Sequence, residues 1–156
     1  MDKTNVMRIL QQKKIEFKEY FYWDVNATNW VEIAKILGED ENIVFKTLVT
    51  VWKSWQHYVF MVPVAEELDL KKCATIVCEK YVEMIPQKEL LPLTGYIHGG
   101  CSPIGMKKVF PTTIHSSAKD LESIIFSGGK VGYQVELSVQ DLPKIINFKF
   151  ADIVKD

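Results

Sequence analysis

A chain of 156 residues, 47% apolar and 25% charged, has the size and composition of one globular domain spanning residues 1–156. Nineteen basic against twenty acidic side chains leave a formal charge of −1, which excludes a protein that grips long stretches of nucleic-acid backbone through a broadly basic surface. No window approaches the roughly 18 apolar residues of a membrane span, and "MDKTNVMRILQQKK" lacks the apolar run of a signal peptide. Cys73, Cys78 and Cys101 form no disulfide framework, so a reducing, cytoplasmic setting is expected; a monomer is the default expectation.

"NVMRILQQKK" carries Val6, Ile9 and Leu10 at helical spacing and predicts an amphipathic first helix. The aromatic "IEFKEYFYW" predicts a strand. "TNWVEIAKILG" predicts a second helix, with Thr28 or Asn29 as its cap and Gly38 past its end. "NIVFKTLVTVW" and "HYVFMVPV", separated by "KSWQ", predict a hairpin. "EELDLKKCATIV" is expected to be helical, and "IPQKELLPL" to hold a short helix opening after Pro86. After the loop "GYIHGGCSPIGMKKVFP" come strand-like "KKVFPTTI", a short helix "AKDLESI", strands "IIFSGG" and "VGYQVELS", a short helix from Ser138 and a last strand "FKFADI". Strands outnumber helices and connections are short. The expected fold is therefore mixed α/β, a sheet curled toward a partial barrel and flanked by helices.

The loop at residues 95–111 concentrates four of the eight glycines and two of the six prolines. Glycine pairs before a proline often make only a tight turn. The alternative is that Gly99 and Gly100 offer backbone N–H groups to an acyl carbonyl or a phosphate, with Ser102 and Pro103 pinning the loop. No G-K-[ST] ending makes it a Walker loop.

Lys46 alternates with apolar residues in "IVFKTLV", so it either snorkels at a sheet edge or points into a polar site, where its ammonium could hold a phosphate or an oxyanion. In "FSGGKVGYQVEL", Gly128 and Gly129 suit a turn, Ser127 could lend a hydroxyl to a ligand, and Gln134 and Glu136 share a strand face. His98, Cys101, Cys73 and Cys78 match no strong zinc spacing. A Cys101 nucleophile beside His98 or His115 has no motif behind it. Lys71–Lys72 and Lys107–Lys108 read as solvated faces or as local phosphate contacts.

In order, "TNW", "VFKTLV", "VPVAEELDLKK", "TGYIHGGCSPIGMKK", "PTTI", "SGGKVGYQVEL" and "FADI" resemble the YbaK family of free-standing aminoacyl-tRNA deacylases, relatives of the editing domain of bacterial prolyl-tRNA synthetases. The resemblance runs from near residue 9 to the end. It implies a mixed α/β domain whose cleft takes the aminoacylated 3′ end of tRNA and hydrolyses a mischarged ester. The most typical substrate is cysteinyl-tRNA carrying the proline anticodon, with alanyl-tRNA as an alternative and a non-catalytic 3′-end binding module as the rival reading. A prolyl-tRNA synthetase partner, and neither metal nor other cofactor, go with it.

The resemblance also distributes roles. Lys46 matches the lysine on which family activity depends, and Gly99 and Pro103 match the G-x-x-x-P loop. Tyr22 and Ser127 match pocket residues. Some members carry an aspartate where Gln134 stands, and the position of Cys101 is usually aliphatic. On this footing the expected catalytic groups are Lys46 and the Gly100 N–H, which would polarise the carbonyl. Tyr22, Gly99, Ser102, Pro103, Ser127, Gly128 and Gln134 would bind substrate. The attacking group would come from water or from the substrate's own thiol or ribose hydroxyl, since no protein base stands out.

Overall fold

A computed structural model of the protein describes residues 3–22 and 29–156. Helix α1 (Asn5–Gln12) starts where Thr4 accepts a hydrogen bond from the Met7 N–H, and it buries Val6, Met7 and Leu10. Strand β1 is Lys18–Phe21. Of the two expected caps of α2 (Trp30–Leu37), Asn29 fills the role by accepting from the Glu32 N–H, while Thr28 lies outside the described residues. Gly38 ends the helix in the left-handed conformation.

Strands β2 (Phe45–Trp52) and β3 (Gln56–Pro63) form the expected hairpin. Helix α3 (Leu70–Ile76) starts later than "EELDLKK" suggests, because Asp69 caps it through the N–H groups of Lys71 and Lys72. A two-residue strand, β4 (Glu83–Met84), precedes a 3₁₀ turn and α4 (Leu90–Thr94). Strands β5 (Thr112–His115), β6 (Ser123–Ser127), β7 (Tyr133–Ser138) and β8 (Phe148–Ala151) complete the fold. The "AKDLESI" and Ser138 helices are 3₁₀ turns, at Ser116–Asp120 and Val139–Lys144. Pro143 fits the second, since six residues give no room for an α-helical ladder around it.

The fold is mixed α/β, as expected, but its strands form two sheets rather than one. A three-stranded antiparallel sheet has the order β1-β7-β6, and a five-stranded mixed sheet the order β4-β2-β3-β5-β8. They meet at a single parallel bridge, Val44 to Ile125, and among the described residues no strand pairing closes a barrel.

Alternation sorts the side chains into three apolar clusters. Phe45, Val49, Val59 and Met61 of the hairpin join Ile124, Phe126, Val135 and Leu137 of β6 and β7, together with Val6, Met7 and Leu10 of α1. Tyr58, Phe60 and Val62 face the other way, onto Cys73 and Ala74 of α3. Val44, Val64 and Ile125 meet Ala34 of α2 where the two sheets join, and Tyr20 and Trp30 pack against them. Among the described residues no helix is long and apolar enough to cross a membrane.

Candidate active site

Strand register assembles the site. Tyr20 of β1 lies opposite Gln134 of β7, and Gln134 lies opposite Ser127 of β6. Val44, just before β2, bridges Ile125 of β6 in parallel, so Lys46 and Ser127 are each two residues further along in the same direction. Cross-strand partners share a face. Tyr20, Gln134 and Ser127 therefore stand in one row across three strands, and the bridge brings the start of β2, with Lys46, to β6, although the sequence scatters these residues over more than a hundred positions.

Lys46 is half-buried, and burial lowers the pKa of its ammonium, opposed by the negative charge of Glu67. No hydrogen bond or ion pair holds it among the described residues. At Lys46 strand β2 pairs with β3 through Val62, while β4 reaches β2 only at Thr50 and Val51. Ser127 is buried and its Oγ accepts from the Gly129 N–H at 3.1 Å, leaving its own proton to give. Gly128 closes the same turn through its N–H to the Tyr133 carbonyl.

Tyr22 is buried, with its N–H on the Gly132 carbonyl and its ring tilted on Trp30. Burial raises the pKa of its phenol, the Gly132 backbone opposing and Glu39 adding to the rise.

The glycine loop packs directly on the β6–β7 turn. A Cβ at Gly100 would stand 3.0 Å from the Val131 nitrogen and 3.2 Å from the Lys130 carbonyl carbon, so only glycine permits this approach. Gly99 has φ of +87°. Both positions are therefore set by backbone geometry. The expectation that the Gly100 N–H would polarise a carbonyl is corrected: it already donates to the Ile97 carbonyl at 3.0 Å, closing the turn. The N–H groups of Gly99, Cys101 and Ser102 have no acceptor among the described residues, and Cys101 and Ser102 are buried. Ser102 and buried Pro103 hold the loop from within, the Ser102 hydroxyl accepting from the Ile104 N–H. Tyr96 donates its hydroxyl to the Ile104 carbonyl.

Burial pushes the Cys101 thiol up to about 12, a Thr94 hydrogen bond opposing, so at neutral pH it is no thiolate nucleophile. His115 instead accepts from the Ile153 N–H beside Asp152. Lys72 is engaged by Asp152, Asp156 and the Val154 carbonyl. No group of three metal-ligating side chains converges among the described residues.

Glu39, which follows the cap of α2, is the residue that sequence reading missed. Its carboxylate faces the amide of Gln134. Only the donating end of an amide can face two carboxylate oxygens, which assigns the orientation. The Gln134 nitrogen then donates at 2.7 Å to Oε2 and 3.1 Å to Oε1. Burial, then the charge of Glu136, push the Glu39 carboxyl up to about 7. Glu136 itself accepts from Tyr20 at 2.6 Å and from Ser123 at 2.5 Å. In "GEDEN" Glu39 reads as one acid of a solvated loop, and no spacing ties it to a residue nearly a hundred positions later. A groove of about 1070 Å³ opens at the opposite end of the three-stranded sheet, lined by Lys18, Ser123 and Glu136 among others, and holds none of the expected site residues.

Comparison with known proteins gives this arrangement a context. The model of the aminoacyl-tRNA editing domain matches residues 24–145. A protein of Enterococcus faecalis (strain ATCC 700802 / V583), EbsC, named as a candidate Cys-tRNA(Pro)/Cys-tRNA(Cys) deacylase, is 45% identical over 152 residues, covering 97% of this chain and 93% of its own. A solved structure described as a candidate trans-editing enzyme for prolyl tRNA synthetase superposes with a TM-score of 0.84 over 100% of both chains at 19% identity. The hypothetical protein APE2540 gives 0.82 at 18% identity, over 97% of this chain and 100% of its own. At such identities the two solved structures speak for the fold alone. With the domain model matching most of its length and EbsC nearly all of it, this chain belongs to the aminoacyl-tRNA editing domain family.

Proposed function

We propose that this protein hydrolyses the ester of mischarged aminoacyl-tRNA in trans, with cysteinyl-tRNA of the proline type as its substrate. The observation that carries the reading is the likeness to EbsC along nearly the whole chain. The site's chemistry supports it. An aminoacyl ester is already activated, so a site need only place the carbonyl, stabilise its oxyanion and admit a nucleophile.

In this reading the N–H groups of Gly99, Cys101 and Ser102 receive the carbonyl oxygen as charge develops on it, each such donor contributing about 2.7–4 kcal/mol in known oxyanion holes. Lys46, desolvated and without a counterion in contact, opposes that charge or holds the terminal phosphate. Tyr22, Ser127, Gly128 and Gln134 line the aminoacyl and ribose end, with Pro103 and Ser102 keeping the loop in place. The nucleophile is water, or the substrate's own thiol or ribose hydroxyl. A prolyl-tRNA synthetase partner supplies the choice of tRNA, and the cytoplasm is the setting.

The test is release of labelled amino acid from cysteinyl- and alanyl-tRNA of the proline type, with native protein and Lys46→Ala side by side. Cysteine release that falls by about 10²-fold or more in the variant is the expected result. Alanine release alone moves the substrate and keeps the mechanism. Binding without release of either hands the site to a non-catalytic 3′-end binding role.

A further inference from the structure

The groove of about 1070 Å³, where β1 and β6 begin and β7 ends, takes no part in the chemistry above. Six of its sixteen lining residues are acids and two, Lys18 and Lys119, are lysines, which leaves −4 in a chain whose total is −1. The chain's excess of acid is thus concentrated here. Two of these acids are committed within the fold: Glu136 accepts from Tyr20 and Ser123, and Asp141 pairs with Lys144. Glu16, Glu19, Asp120 and Glu122 are exposed and form no ion pair among the described residues. Like charges gathered in one groove repel; a cationic ligand relieves that repulsion, and a polyanion such as tRNA adds to it.

Two further features say which kind of cation fits. Buried Ile15 and Leu137, with half-buried Phe17 and Leu121, give the groove apolar surface that a bare polyamine does not use. Strand β1 is also the end strand of its sheet. The Tyr22 N–H donates to the Gly132 carbonyl, and antiparallel alternation repeats that pairing at Tyr20 and Lys18. The main-chain N–H and C=O of Glu19 therefore point away from β7, and no described residue meets them. An unpaired strand edge accepts another extended chain.

We infer that this groove is a docking site for an extended basic segment of a partner protein, one in which lysine or arginine alternates with apolar residues. The segment pairs with the free edge of β1 at Glu19. Side chains alternate in direction along an extended chain, so its apolar residues meet Phe17 and Leu121 while its cations face Glu16, Asp120 and Glu122. The inference does not depend on the deacylase reading, since it uses no group of the Lys46 site.

The probe is a labelled peptide alternating lysine with valine, titrated into the full chain at low salt. A peptide of the same composition, with its lysines in one block and its valines in another, and spermine are the comparisons. Native protein is expected to bind the alternating peptide more tightly than either, and the Glu19 backbone amide becomes protected from hydrogen exchange. The variant Glu16→Gln, Asp120→Asn, Glu122→Gln binds it about tenfold more weakly, as the loss of three exposed ion pairs predicts. Glu66→Gln, Glu83→Gln, Glu89→Gln removes the same charge outside the groove and leaves the affinity unchanged. All six positions are exposed, so both variants keep the fold.

No binding of the alternating peptide, equal binding of the two peptides, an equal loss in the two triple variants, no loss in the first, or a Glu19 amide left unprotected would each overturn the inference. Spermine bound as tightly as the peptide would reassign the groove to a small polycation and overturn it as well.

Discussion

Two titratable groups of the site have been moved from their ordinary ranges, and each makes a residue-scale prediction. Burial lowers the pKa of Lys46, and the negative charge of Glu67 resists that shift. Glu67 is exposed and paired with Lys155, so Glu67→Gln leaves the core untouched while removing a negative charge that favours the charged amine. The alkaline limb of the pH–rate profile, where Lys46 loses its proton, is expected to move to lower pH in this variant.

Glu39 has the opposite sense. Burial, then the charge of Glu136, raise its pKa above the 4.5 of the free group, against the Gln134 amide that donates to the carboxylate, so above that value the folded state holds a proton that the unfolded state has released. Stability therefore falls as pH rises from about 4.5 to about 7. Glu39→Gln removes the cost of a desolvated charge. It should stabilise the protein by about 1 kcal/mol at pH 8, after allowance for the water that still screens a half-buried group, and change little at pH 4.5. Denaturant midpoints at the two pH values check the sign.

At the scale of elements, the site depends on two turns that touch through their backbones. Gly100 lies against residues 130 and 131, where no flexible side chain can yield. Gly100→Ala is expected to push the 99–103 loop off the β6–β7 turn, costing about 1–3 kcal/mol as other overpacked contacts do. The kcat/KM for ester release should fall by about tenfold or more with the fold retained, as seen in an unchanged far-ultraviolet spectrum. The glycines announced a special backbone in the sequence, and so did the caps Asn29 and Ser138. The hairpin was legible because "KSWQ" separates two β-branched runs. Local chemistry writes such features.

What the sequence concealed is long-range. The row of Tyr20, Gln134 and Ser127 depends on the pairing of β1, β7 and β6, and the approach of β2 to it on a bridge between Val44 and Ile125, which no periodicity encodes. The split into two sheets hangs on the same bridge. The Gly100 N–H looked available because turn closure onto Ile97 is invisible until the loop is folded. Glu39 was hidden for a related reason, since its partner arrives from β7.

For the whole molecule, charge decides how the partner is held. The net charge of −1 provides no general attraction for a polyanion, and several lysines are already committed. Lys72 is bound to Asp152 and Asp156, Lys144 to Asp141, and Lys155 to Glu67. The candidates for phosphate contact reduce to Lys46 on β2 and to Lys107, Lys108 and Lys130 in or beside the glycine loop. A single-stranded 3′ end releases about 0.7 of a counterion for each phosphate neutralised. Contacts from these few lysines alone give a log–log slope of affinity against salt no steeper than about −3. Binding of cysteinyl-tRNA analogues from 50 to 300 mM salt should show that shallow line, and Lys46→Ala should flatten it by about one contact if its ammonium holds a phosphate. A slope near −4 or steeper, equivalent to about six phosphates, would mean that the body of the tRNA is gripped elsewhere on the surface. An unchanged slope in Lys46→Ala with lost turnover would instead assign the lysine to the charge on the reacting ester.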